Sequence, residues 1–87
     1  MTVTDEEILS AIPELARKSG VFGEPAGVTA FAGFKKMAEA GLLDKGERVA
    51  AVVTGNGLKD IESAKKAVGK ALTCPPDVEI LANMINL

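Results

Sequence analysis

The residues best suited to bind a ligand form a glycine-containing run that begins at Thr54. This threonine ends an apolar, valine-rich segment, and Gly55-Asn56-Gly57 follows it directly. Glycine lets a ligand approach the backbone closely, and free N–H groups at the start of the next helix favour an anion or another hydrogen-bond acceptor. The same pattern also fits a plain strand-to-helix turn in which Thr54 bonds its own backbone, because such turns are common.

A second candidate run, residues 23–27, also lies where a predicted strand gives way to a helix. Pro25 suits the first position of a helix and favours extended backbone at Glu24. The Glu24 carboxylate is either a site group or a helix N-terminal charge, and its residue type alone favours the charge at the helix end. If both runs follow parallel strands, they lie at the same edge of the sheet and form a floor for a ligand.

Helical and extended segments alternate along the chain and position these two runs. Apolar side chains at helical spacing, together with cap residues, predict the helices, and a continuous valine-rich stretch predicts a strand buried on both faces. The predicted order is a helix from Thr4 to Gly20, a short strand over 21–23, a helix from Pro25 to about Leu42, a strand over 48–54, a helix from about Leu58 to Val68, and a short helix after Asp77. Pro13 lies inside the first helix, where we expect it to kink or restart the helix.

The order of elements predicts an α/β fold for residues 1–87, which we interpret as one partial domain. Its centre is a right-handed parallel βαβ unit with flanking helices, that is, part of a three-layer sandwich. A strand buried on both faces needs a neighbour at each edge, and the chain offers one short strand. Since an isolated two-stranded parallel sheet leaves open edges, we expect part of the fold to lie in another segment, another chain or a second copy.

Composition excludes several classes of function. The 87 residues include ten Lys and Arg against twelve Asp and Glu, with three Phe and no Trp or Tyr, so there is no basic stripe with stacking aromatics for nucleic acid. No apolar run is long enough to predict a membrane span. With no histidine and one cysteine, Cys74, neither a zinc site nor a Ser-His or Cys-His pair is expected. The single cysteine fits a reducing cytoplasm, which is the expected location.

Three stretches resemble the C-terminal region of threonine synthases: residues 22–30, the turn at 41–43, and residues 48–60. The first helix is similar as well, so the resemblance covers nearly all of residues 3–60. The run from Thr54 to Asp60 is fairly specific to this branch of the fold-type-II pyridoxal-phosphate enzymes. The stretch Glu24-Pro25-Ala26-Gly27 is shared with threonine dehydratases and discriminates less.

The resemblance implies a fragment of the tryptophan-synthase-β-like fold and a role for pyridoxal phosphate (PLP) in the full-length family. That family converts O-phosphohomoserine and water to threonine and phosphate. It also implies that the Thr54 hydroxyl hydrogen-bonds the pyridine nitrogen of the cofactor and that the turn after it holds this hydroxyl in place. The cofactor-binding residues implied in this way are Thr54, Gly55, Asn56, Gly57, Glu24, Pro25 and Ala26.

No catalytic residue and no metal ligand is predicted in this chain. The family's Schiff-base lysine and its glycine-rich phosphate loop belong to its N-terminal part, and none of the eight lysines here has the matching sequence context. Our leading hypothesis is therefore an inactive C-terminal fragment of threonine synthase that self-associates or requires the N-terminal part as its partner. A small-molecule substrate is expected only for the full-length enzyme. The alternatives are a non-catalytic interaction module that keeps the scaffold and the matching region of a threonine dehydratase.

Overall fold

A computed structural model of the chain describes residues 1–86. Its helices are α1 (Asp5–Ser19), α2 (Pro25–Glu39), α3 (Ile61–Val68) and α4 (Val78–Met84), and a three-residue 3₁₀ helix (Gly57–Lys59) precedes α3. All four predicted helices are present. The second ends at Glu39, three residues before the expected Leu42, and the third is divided at Asp60, which caps α3.

Helix α1 begins and ends where its cap residues predict. The Thr4 hydroxyl accepts a 3.1 Å hydrogen bond from the Glu7 amide, and the Glu7 carboxylate accepts one of 3.4 Å from the Thr4 amide. Gly20 ends the helix at φ 77°, a conformation that favours glycine. The helix runs through Pro13 without a restart, and the alternative expectation of a kink there stays a prediction. Pro13 removes one N–H donor, but the turn before it is held by the packing of Ala11 and Ile12.

Helices α1 and α2 pack against each other through small and β-branched side chains. The buried hydrophobic residues are Ala11, Ile12, Val28 and Ala32. Because these side chains are short, the two helices lie close together. Glu14, on α1, forms ion pairs with Lys18 of its own helix (2.9 Å) and with Lys35 of α2. Such partly exposed pairs fix the register of the helices more than they add stability.

The two predicted strands are not formed within residues 1–86. Residues 47–54 have no regular secondary structure, and the β-type pairing that the structure shows is an isolated antiparallel bridge between Gly23 and Asn56. The parallel βαβ unit is therefore absent from the described part of the chain. The physical reason is that a strand needs paired edges, and the one short neighbour available to residues 48–54 does not form a stable sheet with them.

The C-terminal part of the chain is less tightly packed. Helix α3 packs on α1, and an irregular link, residues 69–77, leads from α3 to α4. Cys74 is half-buried in this link. Four apolar side chains of α4 remain exposed: Val78, Ile80, Leu81 and Met84. Within residues 1–86, none of the helices combines the length and the apolar character that crossing a bilayer requires.

Candidate functional site

The two runs singled out from the sequence lie against each other, where the start of α2 meets the turn at residues 54–57. The Glu24 amide donates a 3.0 Å hydrogen bond to the Gly55 carbonyl oxygen, and the Gly57 amide donates one of 3.0 Å to the Phe22 carbonyl oxygen. These two bonds make up the Gly23–Asn56 bridge. They fix the turn relative to α2 even though no sheet is present in the part of the chain described.

Glycine is required at this junction because the two backbones touch. A Cβ atom added to Gly27 would lie 3.1 Å from the Gly55 amide nitrogen and 3.3 Å from the Thr54 amide nitrogen. A Cβ atom on Gly55 would meet the Glu24 carboxylate. Gly23, Gly27 and Gly55 are buried. The first turn of α2 therefore holds the backbone of Thr54 in place by direct contact.

The junction borders a depression of about 420 Å³ that is widely open to solvent, called the cavity below. One side is formed by residues 53–56, including Thr54, and the other by Gly20, Val21 and Phe22. The volume lies within the range of small-molecule sites, roughly 300–1,000 Å³. None of the lining residues carries a charge, so the groups that can orient a ligand here are backbone amides and carbonyls, the Thr54 hydroxyl and the Asn56 amide.

The structure brings together some of the residues predicted from the sequence and separates others. Thr54, Gly55 and Asn56 border the cavity. Gly57 is buried beneath the Phe22 ring, and the Glu24 side chain lies against Gly55. The remaining two lie apart from the cavity lining: Pro25 borders a different depression, and Ala26 is exposed.

Two polar side chains that follow Gly55 cap the helices after the turn. The Asn56 side-chain oxygen accepts a 2.8 Å hydrogen bond from the Leu58 amide and starts the 3₁₀ helix. Asp60 then caps α3, because its carboxylate accepts bonds from the Ser63 hydroxyl (2.7 Å) and the Ser63 amide (3.1 Å). The hydroxyl bond, and after it the amide bond, hold the pKa of Asp60 below its usual value. The carboxylate is therefore ionised, and it stabilises the start of α3.

The cavity lining contains a hydrogen-bond partner suited to the ring nitrogen of pyridoxal phosphate but no group that would react with its aldehyde. A hydroxyl at the rim and glycine backbone around it leave room for an aromatic ring and provide a neutral hydrogen-bond partner for a ring nitrogen. Among residues 1–86, no lysine borders the cavity, so an aldehyde placed there meets no amine. The same part of the chain contains no group of three or more acidic or cysteine side chains placed to bind a metal ion.

Sequence reasoning missed Gly20, Val21 and Phe22 as part of the cavity wall. These residues were interpreted as a helix end and a short strand. No local sequence signal identifies them, because the contact that places Phe22 is made with Gly57, a residue distant in sequence. The large ring of Phe22 lies over Gly57, where no side chain competes for the space.

Comparison with known proteins identifies the group to which this chain is related. The sequence profile of the family described as "Pyridoxal-phosphate dependent enzyme" matches residues 1–55. The chain is 42% identical to the threonine synthase of Methanocaldococcus jannaschii over 83 residues, which are 95% of this chain and 20% of that protein. It is 50% identical to the threonine synthase of Halalkalibacterium halodurans over 66 residues, 76% of this chain and 19% of that protein. Against the threonine synthase of Mycobacterium leprae it is 38% identical over all 87 residues, 24% of that protein.

The matches to these three relatives cover 76–100% of this chain, whereas the chain spans only about a fifth to a quarter of the relatives' length. The expected resemblance is thereby confirmed, and so is pyridoxal phosphate as the cofactor of the full-length family. The profile match covers more than half of the chain and includes Thr54 and Gly55 at its end. The chain belongs to the pyridoxal-phosphate-dependent enzyme family.

Proposed function

We propose that this chain forms one wall of the cofactor site of a threonine synthase and is inactive without the rest of that enzyme. The observation that carries the proposal is the position of Thr54 at the rim of the 420 Å³ cavity, held there by the contact between Gly27 and Gly55. The similarity to threonine synthases over 76–95% of the chain supports it. The proposed reaction of the whole enzyme is the conversion of O-phosphohomoserine and water to threonine and phosphate, in the cytoplasm.

In this proposal the Thr54 hydroxyl binds the pyridine nitrogen of the cofactor, and Gly55-Asn56-Gly57 keeps that hydroxyl at the cavity rim. When bound, pyridoxal phosphate draws electrons away from the carbon atoms of an amino-acid substrate. A hydroxyl is a neutral partner for the ring nitrogen, whereas a carboxylate would retain a proton on it. Thr54 thus affects the protonation of the ring nitrogen as well as the orientation of the ring. Glu24 lies against Gly55 and keeps the turn from shifting away from α2.

The proposal also covers the fold of residues 48–54. In the complete enzyme this segment becomes a buried parallel strand, and Thr54 then lies at its carboxyl end, where α/β sheets bind their ligands. The valine content of the segment supports this, because β-branched side chains suit a pleated surface packed on both faces. The chain then contributes one part of a larger cofactor-binding domain.

A ligand titration followed by NMR tests the cofactor wall. Pyridoxine 5′-phosphate, which has the ring nitrogen but no aldehyde, is added at millimolar concentration to the ¹⁵N-labelled chain. We expect amide shifts confined to residues 20–22 and 54–57, retained in Thr54→Ser and lost in Thr54→Val. Shifts that are absent, that lie elsewhere, or that persist in Thr54→Val would overturn the assignment. Using the aldehyde-free compound prevents surface lysines from reacting with the probe.

A separate assay tests inactivity. O-Phosphohomoserine is incubated with the chain and pyridoxal phosphate, and the release of phosphate is measured. We expect no release above that of a buffer control, because no lysine among residues 1–86 borders the cavity. Phosphate release that follows the protein through purification would show that the chain contains a complete active site.

A further inference from the structure

Phe22 holds the turn after Thr54 through two contacts. Its backbone carbonyl oxygen accepts the 3.0 Å hydrogen bond from the Gly57 amide. Its ring covers the same residue, because a Cβ atom added to Gly57 would overlap three ring carbon atoms of Phe22. Gly57 is buried, although Asn56 and Leu58 on either side of it are exposed. One residue outside the turn therefore fixes the end of the turn that begins at Thr54.

The glycine at position 57 leaves the space that the ring occupies. Among residues 1–86, the glycines with a positive φ are Gly20, Gly41, Gly46 and Gly69. Gly57 lies outside that group, so its backbone conformation is open to a residue with a side chain. The Phe22 ring is what excludes a side chain there. A large ring and an absent side chain thus form a size-matched pair across the junction.

Phe22 also borders an apolar groove of about 240 Å³ between α1 and α3. Ile12 and Ala16 of α1 and Ile61 of α3 are among the residues that line this groove. Ile12 belongs to the buried core, and α3 packs on α1. Since Phe22 lines both this groove and the cavity beside Thr54, it lies between the packed helices and the turn. The position of the helices is therefore passed to the turn through this residue.

Phe34, on α2, provides a matched comparison. Phe22 and Phe34 are each 36% exposed, so the two residues bury similar amounts of apolar surface. The Phe34 ring packs against Phe31 of its own helix, with ring centroids 6.4 Å apart. In the part of the chain that the structure describes, Phe34 lines neither the cavity nor the groove. Burial alone therefore predicts equal effects of the two rings, whereas the contact with Gly57 predicts that Phe22 acts on the turn.

We propose that Phe22 is a positioning residue for Thr54: its ring fills the space over Gly57 and so holds the Thr54 hydroxyl at the rim of the cavity. The proposal rests on the function proposed above and names a further residue on which that site depends. Without the ring, the Gly57 amide loses its cover and the turn opens more often, because water competes for an uncovered backbone hydrogen bond. A methyl group on Gly57 displaces the ring and has the same consequence.

Hydrogen exchange of the ligand-free chain tests the contact. The Glu24 amide, which donates to the Gly55 carbonyl oxygen, reports opening of the turn and is next to neither substituted residue in sequence. We expect it to exchange at least about fivefold faster in Phe22→Ala and in Gly57→Ala, and within about twofold of the parent in Phe34→Ala. In the double variant Phe22→Ala/Gly57→Ala the two effects should not multiply, because both substitutions remove the same contact.

A titration with pyridoxine 5′-phosphate links the contact to the site. The dissociation constant should rise at least about fivefold in Phe22→Ala and stay within about twofold of the parent in Phe34→Ala, since a displaced hydroxyl loses one neutral hydrogen bond. Phe22→Leu, which keeps an apolar side chain at the groove, should lie between the parent and Phe22→Ala in both measurements. It takes the place of Phe22→Ala if circular dichroism shows that α1 and α2 unfold in that variant.

The role of Phe22 is overturned by unchanged Glu24 exchange in Phe22→Ala, by an equal change in Phe34→Ala, or by single effects that multiply in the double variant. A parent chain that binds pyridoxine 5′-phosphate with the same dissociation constant as Phe22→Ala also overturns this role and leaves the proposed function in place. A parent chain that does not bind the compound contradicts the proposed function, while the exchange rates still decide whether Phe22 holds the turn.

Discussion

Replacing Gly27 with alanine tests whether the start of α2 holds the backbone of Thr54 by contact. Gly27 and Gly33 are both glycines of α2, so the substitution to alanine raises the helix propensity of each. A Cβ atom at Gly33 meets nothing within 4 Å, whereas one at Gly27 lies 3.1–3.3 Å from backbone atoms of Thr54 and Gly55. The two variants differ in that contact, and Gly33→Ala is the matched control.

The expected magnitudes follow from this difference. Gly33→Ala should raise the free energy of unfolding by about 0.5–1 kcal/mol, because alanine loses less backbone entropy on folding. Gly27→Ala has the same gain but forces the turn away from the helix, and overpacking of this kind costs about 1–3 kcal/mol. The net expected change in the free energy of unfolding is a loss of up to about 2.5 kcal/mol, in contrast to the gain expected for Gly33→Ala. The loss is not relieved by a side-chain rotation, because the atoms in contact belong to the backbone.

Urea denaturation followed by circular dichroism measures both free energies, and hydrogen exchange locates the change. The Glu24 and Gly57 amides donate the two bonds of the junction, so they should exchange faster in Gly27→Ala and at an unchanged rate in Gly33→Ala. If Gly27→Ala stabilises the chain as much as Gly33→Ala and leaves both amides protected, the turn at residues 54–57 moves to accommodate the added methyl group at little energetic cost. The claim that glycine contact positions Thr54 is then refuted.

Substitutions at three further positions probe the helical core, its ion pairs and its N-terminal cap. Ile12→Val should lower the free energy of unfolding by about 0.5–1.5 kcal/mol and Ile12→Ala by about 2–5 kcal/mol in urea titrations, since Ile12 is buried between the helices; equal losses would contradict the packing described. Hydrogen bonds from Lys35 and then Lys18 lower the pKa of Glu14 from 4.5 to about 2, so the stability from this carboxylate is present above pH 4.5 and is lost as the pH falls toward 2. The urea midpoint of Glu14→Gln should therefore depend less on pH across that window, and an unchanged profile would exclude the ion pairs as the cause. Thr4→Ala should cost about 0.5–2 kcal/mol of stability by losing the helix cap, whereas Thr4→Ser should stay close to the parent in the same titration.

The helices could be predicted from sequence because their signals are local. Thr4, Gly20 and Asp77 mark helix ends through hydrogen bonds and backbone conformations that span a few residues. The interior of α1 depends on more than local signals: a kink or a restart is predicted at Pro13, and the structure shows that the helix does not restart there. The balance between a lost backbone bond and buried side chains depends on tertiary contacts, which the sequence does not display.

The strands could not be obtained in the same way, because a strand is a property of its neighbours. The valine-rich run at residues 48–54 is predicted to need partners on both sides, and within residues 1–86 no sheet forms around it. The cofactor-binding residues stay a prediction, and the structure shows only their placement: Thr54, Gly55 and Asn56 border one cavity, whereas Glu24, Pro25, Ala26 and Gly57 are not among its lining residues. Residues 20–22 form the opposite wall of the cavity. Their position depends on the path of the chain after α1, and no local sequence pattern predicts that path.

The irregular link between α3 and α4 gives this chain a built-in position for a reporter. Cys74 is the single cysteine of the sequence and lies half-buried in that link, outside the four helices and outside the turn at Thr54 in sequence. A maleimide fluorophore attached there modifies one defined site without disturbing the helical core. Because the sequence contains no Trp and no Tyr, the intrinsic fluorescence of the chain is weak. The fluorescence of an acceptor dye or of a tryptophan-containing partner can therefore be measured with little background. Energy transfer to Cys74 can therefore follow the approach of a second polypeptide in real time.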